Sequence, residues 1–229
     1  MDDDLKYRYF NFPIVLLEGF LEDKVECLRN ILCYSMYVHT RSTFGDDITD
    51  MMEEGAEYYG VKLGDPSEVY STGESLHNSI DNKCPKVGIS TSVYWDYRNN
   101  DKTEFELVTL LGYLAIRSIL MNKAYCKVTN KYWFARMDGK AKSCERNELS
   151  KPLQKYFTDY QAPKIKTELQ LNWNLIEYSR YVRGFYVSYK MSLEDLAFQV
   201  EKKKKSTKMK QLKQKKKEAT EKALSKLKM

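Results

Sequence analysis

Lys166, Gln170 and Asn174 recur at four-residue spacing, with Thr167 beside them, in a stretch opening at Pro163 and also holding Lys164. Lysine, glutamine and asparagine are side chains able to hydrogen-bond base edges or phosphates in a major groove. Further on, Arg180 and Arg183 bracket Tyr181-Val182 just before Gly184. Two arginines at the end of a ribbon can clasp phosphates or enter a minor groove. Lys131 and Arg136 precede this region, Lys190 closes it, and Lys202-Lys203-Lys204-Lys205 opens a lysine-rich tail that runs to Met229. Such a tail releases counterions from a phosphate backbone, giving salt-sensitive, sequence-independent affinity. The chemistry on offer is polyanion recognition, with DNA as the expected partner and RNA as the alternative. The plainer account is an amphipathic helix with a polar outer face, a tyrosine-rich hairpin and a solvated tail.

Other constellations are weaker. Asp46, Asp47, Asp50, Glu53, Glu54 and Glu57 lie three and four apart on one helical stretch. Carboxylates so placed can hold Mg²⁺, as in a metal-dependent nucleotide hydrolase, but a facing acidic helix is missing and a solvated face is the better reading. Cys27, Cys33, Cys84, Cys126 and Cys144 form an odd set without a CxxC pair, and with two histidines they offer few zinc ligands. They read as reduced thiols. There is no P-loop, paired-glycine dinucleotide turn or HExxH. The expectation is a non-enzyme without metal or cofactor. Tyr94, Trp95 and Tyr97 have the right chemistry to stack bases, although core packing explains them as well.

The elements that must position these residues are mainly helical. Leu21, Val25, Leu28, Leu32 and Met36 mark a helix over roughly 18–39, and Ser42 or Thr43 caps a second over 45–59. Asp65-Pro66-Ser67-Glu68 starts a third, with Glu68 placed to reach back to the cap. Tyr7 to Leu16 reads as extended, and Val87 to Tyr97 permits either strand or helix. Thr103, with Glu106 three residues on, opens an apolar helix to Met121 that buries Val108, Leu111, Leu114 and Ile119. Thr129 or Asn130 caps a helix ending at Gly139, with Lys131 and Arg136 facing solvent. Pro163 opens the next helix, whose Ile165, Leu169 and Trp173 form a core stripe. Leu171 falls off that stripe. Alternation in Phe185, Val187 and Tyr189 marks one arm of a β-hairpin, with Ile176 to Arg180 as its partner. Ser192 caps the last helix.

Helix, helix, helix and basic hairpin, over roughly residues 104–190, resembles winged helix-turn-helix proteins, including replication initiators and regulators of plasmids and phages. The resemblance implies that Pro163 to Asn174 is the recognition helix and Arg180 to Gly184 the wing. The chain departs from the minimal pattern, because some twenty-odd residues replace a turn of three or four.

Charge divides the chain the same way. Residues 1–110 carry 10 Lys/Arg against 21 Asp/Glu, a net −11, and the remainder carries 28 against 11, a net +17. A basic rear half points to a polyanion; mutual attraction of the two halves is the bland alternative. The expected organisation is an acidic helical domain (1–100), a winged-helix-like domain (101–190) and a basic helical tail (191–229), within a mainly α, α+β class. Three functions stand: a DNA-binding protein in replication or transcription control of a mobile element, a protein-interaction module docking through the acidic half, and the metal-dependent hydrolase. The acidic start and the short apolar run of Leu107 to Leu120, interrupted by Arg117, predict a cytoplasmic protein without a membrane span.

Overall fold

Side-chain caps decide where the helices begin. Asp23 accepts from the Glu26 amide at 2.9 Å and starts α1, Lys24–Thr40. Asp47 starts α2, Ile48–Tyr59, and Asp65 with Pro66 starts α3, Pro66–Ser79. Ser90 caps α4, Thr91–Asn99, and the reciprocal Thr103–Glu106 box opens α5, Glu104–Leu120. Thr129 caps α6, Asn130–Met137. Each oxygen satisfies an amide that the first helical turn leaves unpaired. In the computed structural model, which describes residues 8–42, 47–179 and 183–227, these helices are joined by α7, Lys151–Gln154, α8, Gln161–Asn172, and α9, Leu193–Leu227. The side chains of 220–227 are not described.

Two small antiparallel sheets complete the fold. β1, Tyr9–Pro13, pairs with β2, Lys86–Ser90. β3, Cys126–Val128, and β4, Ile176–Tyr178, flank β5, Phe185–Ser188, in the order β3-β5-β4. In β5, Phe185 and Val187 are buried, as their alternation requires, and Ser188 is buried too because its hydroxyl donates to the Ala124 carbonyl at 2.7 Å.

Several boundaries differ from expectation. The first helix starts at Lys24, because Ile14–Leu17 forms a 3-10 turn and Gly19 takes φ +74°. Val25 is consequently 67% exposed. Asp47 caps α2 and Ser42 does not, its hydroxyl donating back to the His39 carbonyl at 2.6 Å; Thr43, the other expected cap, lies outside the described residues. Glu68 reaches Arg29 on α1 in an ion pair. Val87 to Tyr97 is strand and then helix, divided at the Ser90 cap.

One contiguous group of buried side chains extends from Phe10 to Val187. α5 is its shared wall, packing on β2 and the 3-10 turn as well as on α6, α8 and β3. The polar stretch at 98–102, read as a domain boundary, does not interrupt this core. Gly112 makes the central crossing possible: a Cβ there would lie 3.2 Å from Trp133 and 3.3 Å from Ile165. Trp133 is fully buried and its indole N–H donates to the Gly112 carbonyl at 3.0 Å. Among the described residues no helix is long and apolar enough to cross a membrane.

Candidate nucleic-acid interface

Two of the three stripe residues of α8 are placed as expected, Ile165 and Leu169 being fully buried against α5, while Trp173 follows the helix end and is half-buried beside Tyr113. The first turn of α8 begins at Gln161, two residues before Pro163. Lys164, Thr167 and Gln170 are exposed on the outer side, and Leu171 joins them at 72% exposure, packing with neither core nor hairpin. Asn174 lies past the end of α8 with φ +53°, so it continues the exposed edge but not the helix.

Lys166 does not behave as an outward-facing reader. Its ammonium lies 3.0 Å from Glu177 on β4 and 3.3 Å from the Phe185 ring centroid on β5. The two charged side chains are only 16% and 12% exposed. Burial lowers the Lys166 pKa and Glu177 pulls it back, so the charge is spent inside the fold. The sequence places both residues near each other only once the hairpin folds back over α8. Gln170 faces the same carboxylate, its amide nitrogen 3.5 Å from Glu177 Oε2.

Arg136 is a second correction. It is 5% exposed, its Nη2 donates to the Tyr132 hydroxyl, and its guanidinium lies 4.9 Å from that ring's centroid. Its Nε and Nη1 have no hydrogen-bond partner among the described residues. Of the two α6 cations expected to face water, Arg136 is covered and Lys131 is not. Lys131 is exposed and paired with Glu145. Arg180 lies outside the described residues; Arg183 is exposed at the hairpin end, and so is Lys190.

Despite these pairings, Lys131, Lys166 and Arg183 line one cleft of about 630 Å³ between the start of α6, α8 and the hairpin. Thr129, Asn130 and Ser179 add polar groups to it. The strand β3, unforeseen from sequence, supports this cleft by pairing Val128 with Phe185, and Gly184 (φ +94°) lets the hairpin lie against Val128. Three residues of CKV carry too little alternation to announce a strand.

α9 leaves the same sheet. Leu196 and Val200 are buried, and the Tyr178 hydroxyl donates to Glu201 Oε1 at 3.0 Å. Lys204, half-buried, bonds Glu201 at 3.0 Å and lies 5.8 Å from the ring centroids of Tyr178 and Tyr186. Lys202, Lys203 and Lys205 are exposed, and from Lys205 to Ala219 every residue is exposed. Ten lysines and no carboxylate occupy Lys202 to Lys217.

Elsewhere, Asp50, Glu53, Glu54 and Glu57 on α2 face solvent, and among the described residues no three His, Cys, Asp or Glu side chains group to hold a metal ion. No protein-family model, curated protein or solved structure matches this chain.

Proposed function

We propose that residues 104–190 act as a winged-helix nucleic-acid-binding unit, with α9 as a basic arm that extends its grip along the phosphate backbone. The observation that carries the reading is topological: α5, β3, α6, a 3-10 turn at Arg146–Glu148, the short α7, α8 and the hairpin follow in chain order, with the hairpin's second strand central in β3-β5-β4. Lys131 of α6, Lys166 of α8 and Arg183 of the hairpin line one cleft, and this supports the reading. Charge supports it independently of the arm, since residues 111–190 alone hold 15 Lys/Arg against 6 Asp/Glu. On this reading Lys164, Thr167 and Gln170 of α8 and Asn174 just beyond it supply contacts, Arg183 and Lys190 hold phosphates, and Lys202, Lys203 and Lys205 add non-specific affinity. Lys166 and Arg136 position the scaffold.

The test is a salt titration of binding to duplex and single-stranded oligonucleotides, with the full chain and with residues 202–229 removed. The expected outcome is weaker but measurable duplex binding without the arm, still falling with salt. Binding confined to the arm would remove α8 and the hairpin from the function.

A further inference from the structure

The acidic half carries a second cleft of about 630 Å³, walled by α1, by the loop 60–65 and by α4. Its composition runs against its surroundings. In a region of net −11, it is lined by Arg29, Lys62 and Arg98, and no Asp or Glu stands among its described lining residues. Trp95 forms one side, half-buried and held in place: its indole N–H donates to the Tyr59 carbonyl at 3.4 Å and its ring meets Tyr94 edge-on at 5.0 Å. Arg98 is held by donating from Nη1 to the Tyr94 hydroxyl at 2.9 Å, with its guanidinium 5.5 Å from the Trp95 ring centroid. Arg29 is occupied by Glu26 and Glu68. Lys62 and Arg98 have no carboxylate partner among the described residues, so they supply the uncompensated charge. Gly60, at φ +65°, closes α2 and turns the loop, and a Cβ on Gly64 would meet nothing within 4 Å, which leaves the mouth open.

We propose that this cleft binds a nucleoside phosphate, its base against the Trp95 indole and its phosphate between Lys62 and Arg98. A flat aromatic face accepts any base, and a guanidinium pairs with phosphate through two parallel hydrogen bonds. The volume suits one small ligand. A long polyanion is disfavoured here, because the carboxylates around the cleft repel a chain that overruns it. The proposal stands independently of the winged-helix reading, since it uses no residue of 104–190.

The experiment is calorimetric titration of the full-length protein with AMP, GMP, CMP and UMP, alongside adenosine and pyrophosphate. At least one nucleotide should bind more tightly than both adenosine and pyrophosphate. Lys62→Ala and Arg98→Ala should each weaken that binding by about tenfold, the scale of one lost charged contact, while Arg183→Ala in the other cleft leaves it unchanged. Lys62 is exposed, so its variant keeps the fold if Arg98→Ala does not. The proposal is overturned if none of the four nucleotides binds, if binding survives Lys62→Ala undiminished, or if adenosine or pyrophosphate binds as well as the best nucleotide.

Discussion

The two clefts have the same volume, about 630 Å³, and three cations each, yet they manage charge oppositely. In the rear cleft, set in a basic half, Glu145 and Glu177 occupy Lys131 and Lys166 and leave Arg183. In the front cleft, set in an acidic half, carboxylates occupy Arg29 and leave Lys62 and Arg98. The net charge of a region therefore says little about the charge a cleft presents. In the rear half the surplus is divided between residues 111–190, with 15 Lys/Arg against 6 Asp/Glu for a net +9, and residues 191–229, with 13 against 5 for a net +8. In the front half, net −11, two cations without a carboxylate partner among the described residues line a cleft.

That contrast can be broken experimentally, and the largest effect should come from the arm. Removing residues 202–229 should weaken duplex binding on the order of 10²-fold at low salt and flatten its salt dependence, measured by fluorescence anisotropy. Nucleotide binding at the front cleft should be untouched. Next, Glu177→Gln leaves the nearly buried Lys166 ammonium without its counter-charge, and should cost about 2 kcal/mol in urea unfolding. Its counterpart Glu68→Gln, with a side chain 60% exposed, should cost less than about 1 kcal/mol. Arg183→Ala in the tail-deleted chain should lower duplex affinity by about tenfold and reduce the salt slope by about one. Equal losses in full-length and front-cleft assays would erase the distinction between the clefts.

The smallest effect concerns acid. Both histidines lie in the front half, and His39 stacks on Tyr58 with ring centroids 4.6 Å apart. Burial holds its pKa below the usual 6.5, partly offset by Glu54. The unfolded chain then takes up the proton first, so stability falls as pH drops below 6.5 and levels off once the folded imidazole also protonates. His39→Gln should flatten that part of the profile of melting temperature against pH.

How legible all this was depends on the range of each interaction. The Thr103–Glu106 box, the Asp65-Pro66 start and the Ile165/Leu169 stripe involve neighbours within one or two turns, and each was readable from spacing. The β1–β2 pairing joins Tyr9 to Ser90, and no local pattern announces it. The role of Lys166 was misread for the same reason: its spacing put it on a polar edge, but Glu177 reaches that edge from a strand. Arg136 shows the limit of polarity as a guide, because a buried guanidinium over a tyrosine ring looks like a surface arginine in the sequence. The front cleft is not legible in the sequence, because Trp95 reads there as a core aromatic rather than a stacking one and the cations beside it come from α1, α4 and the 60–65 loop.

The exposed length of α9 has its own consequence. Lysines three and four apart repel one another along a helix whose residues from Lys205 to Ala219 are all exposed, and isolated helices are marginal in water. Added salt or a bound polyanion relieves the same repulsion, so the far-ultraviolet circular dichroism of the full chain should report occupancy directly. The arm then works as a gauge, coiling more completely the more of its charge is answered.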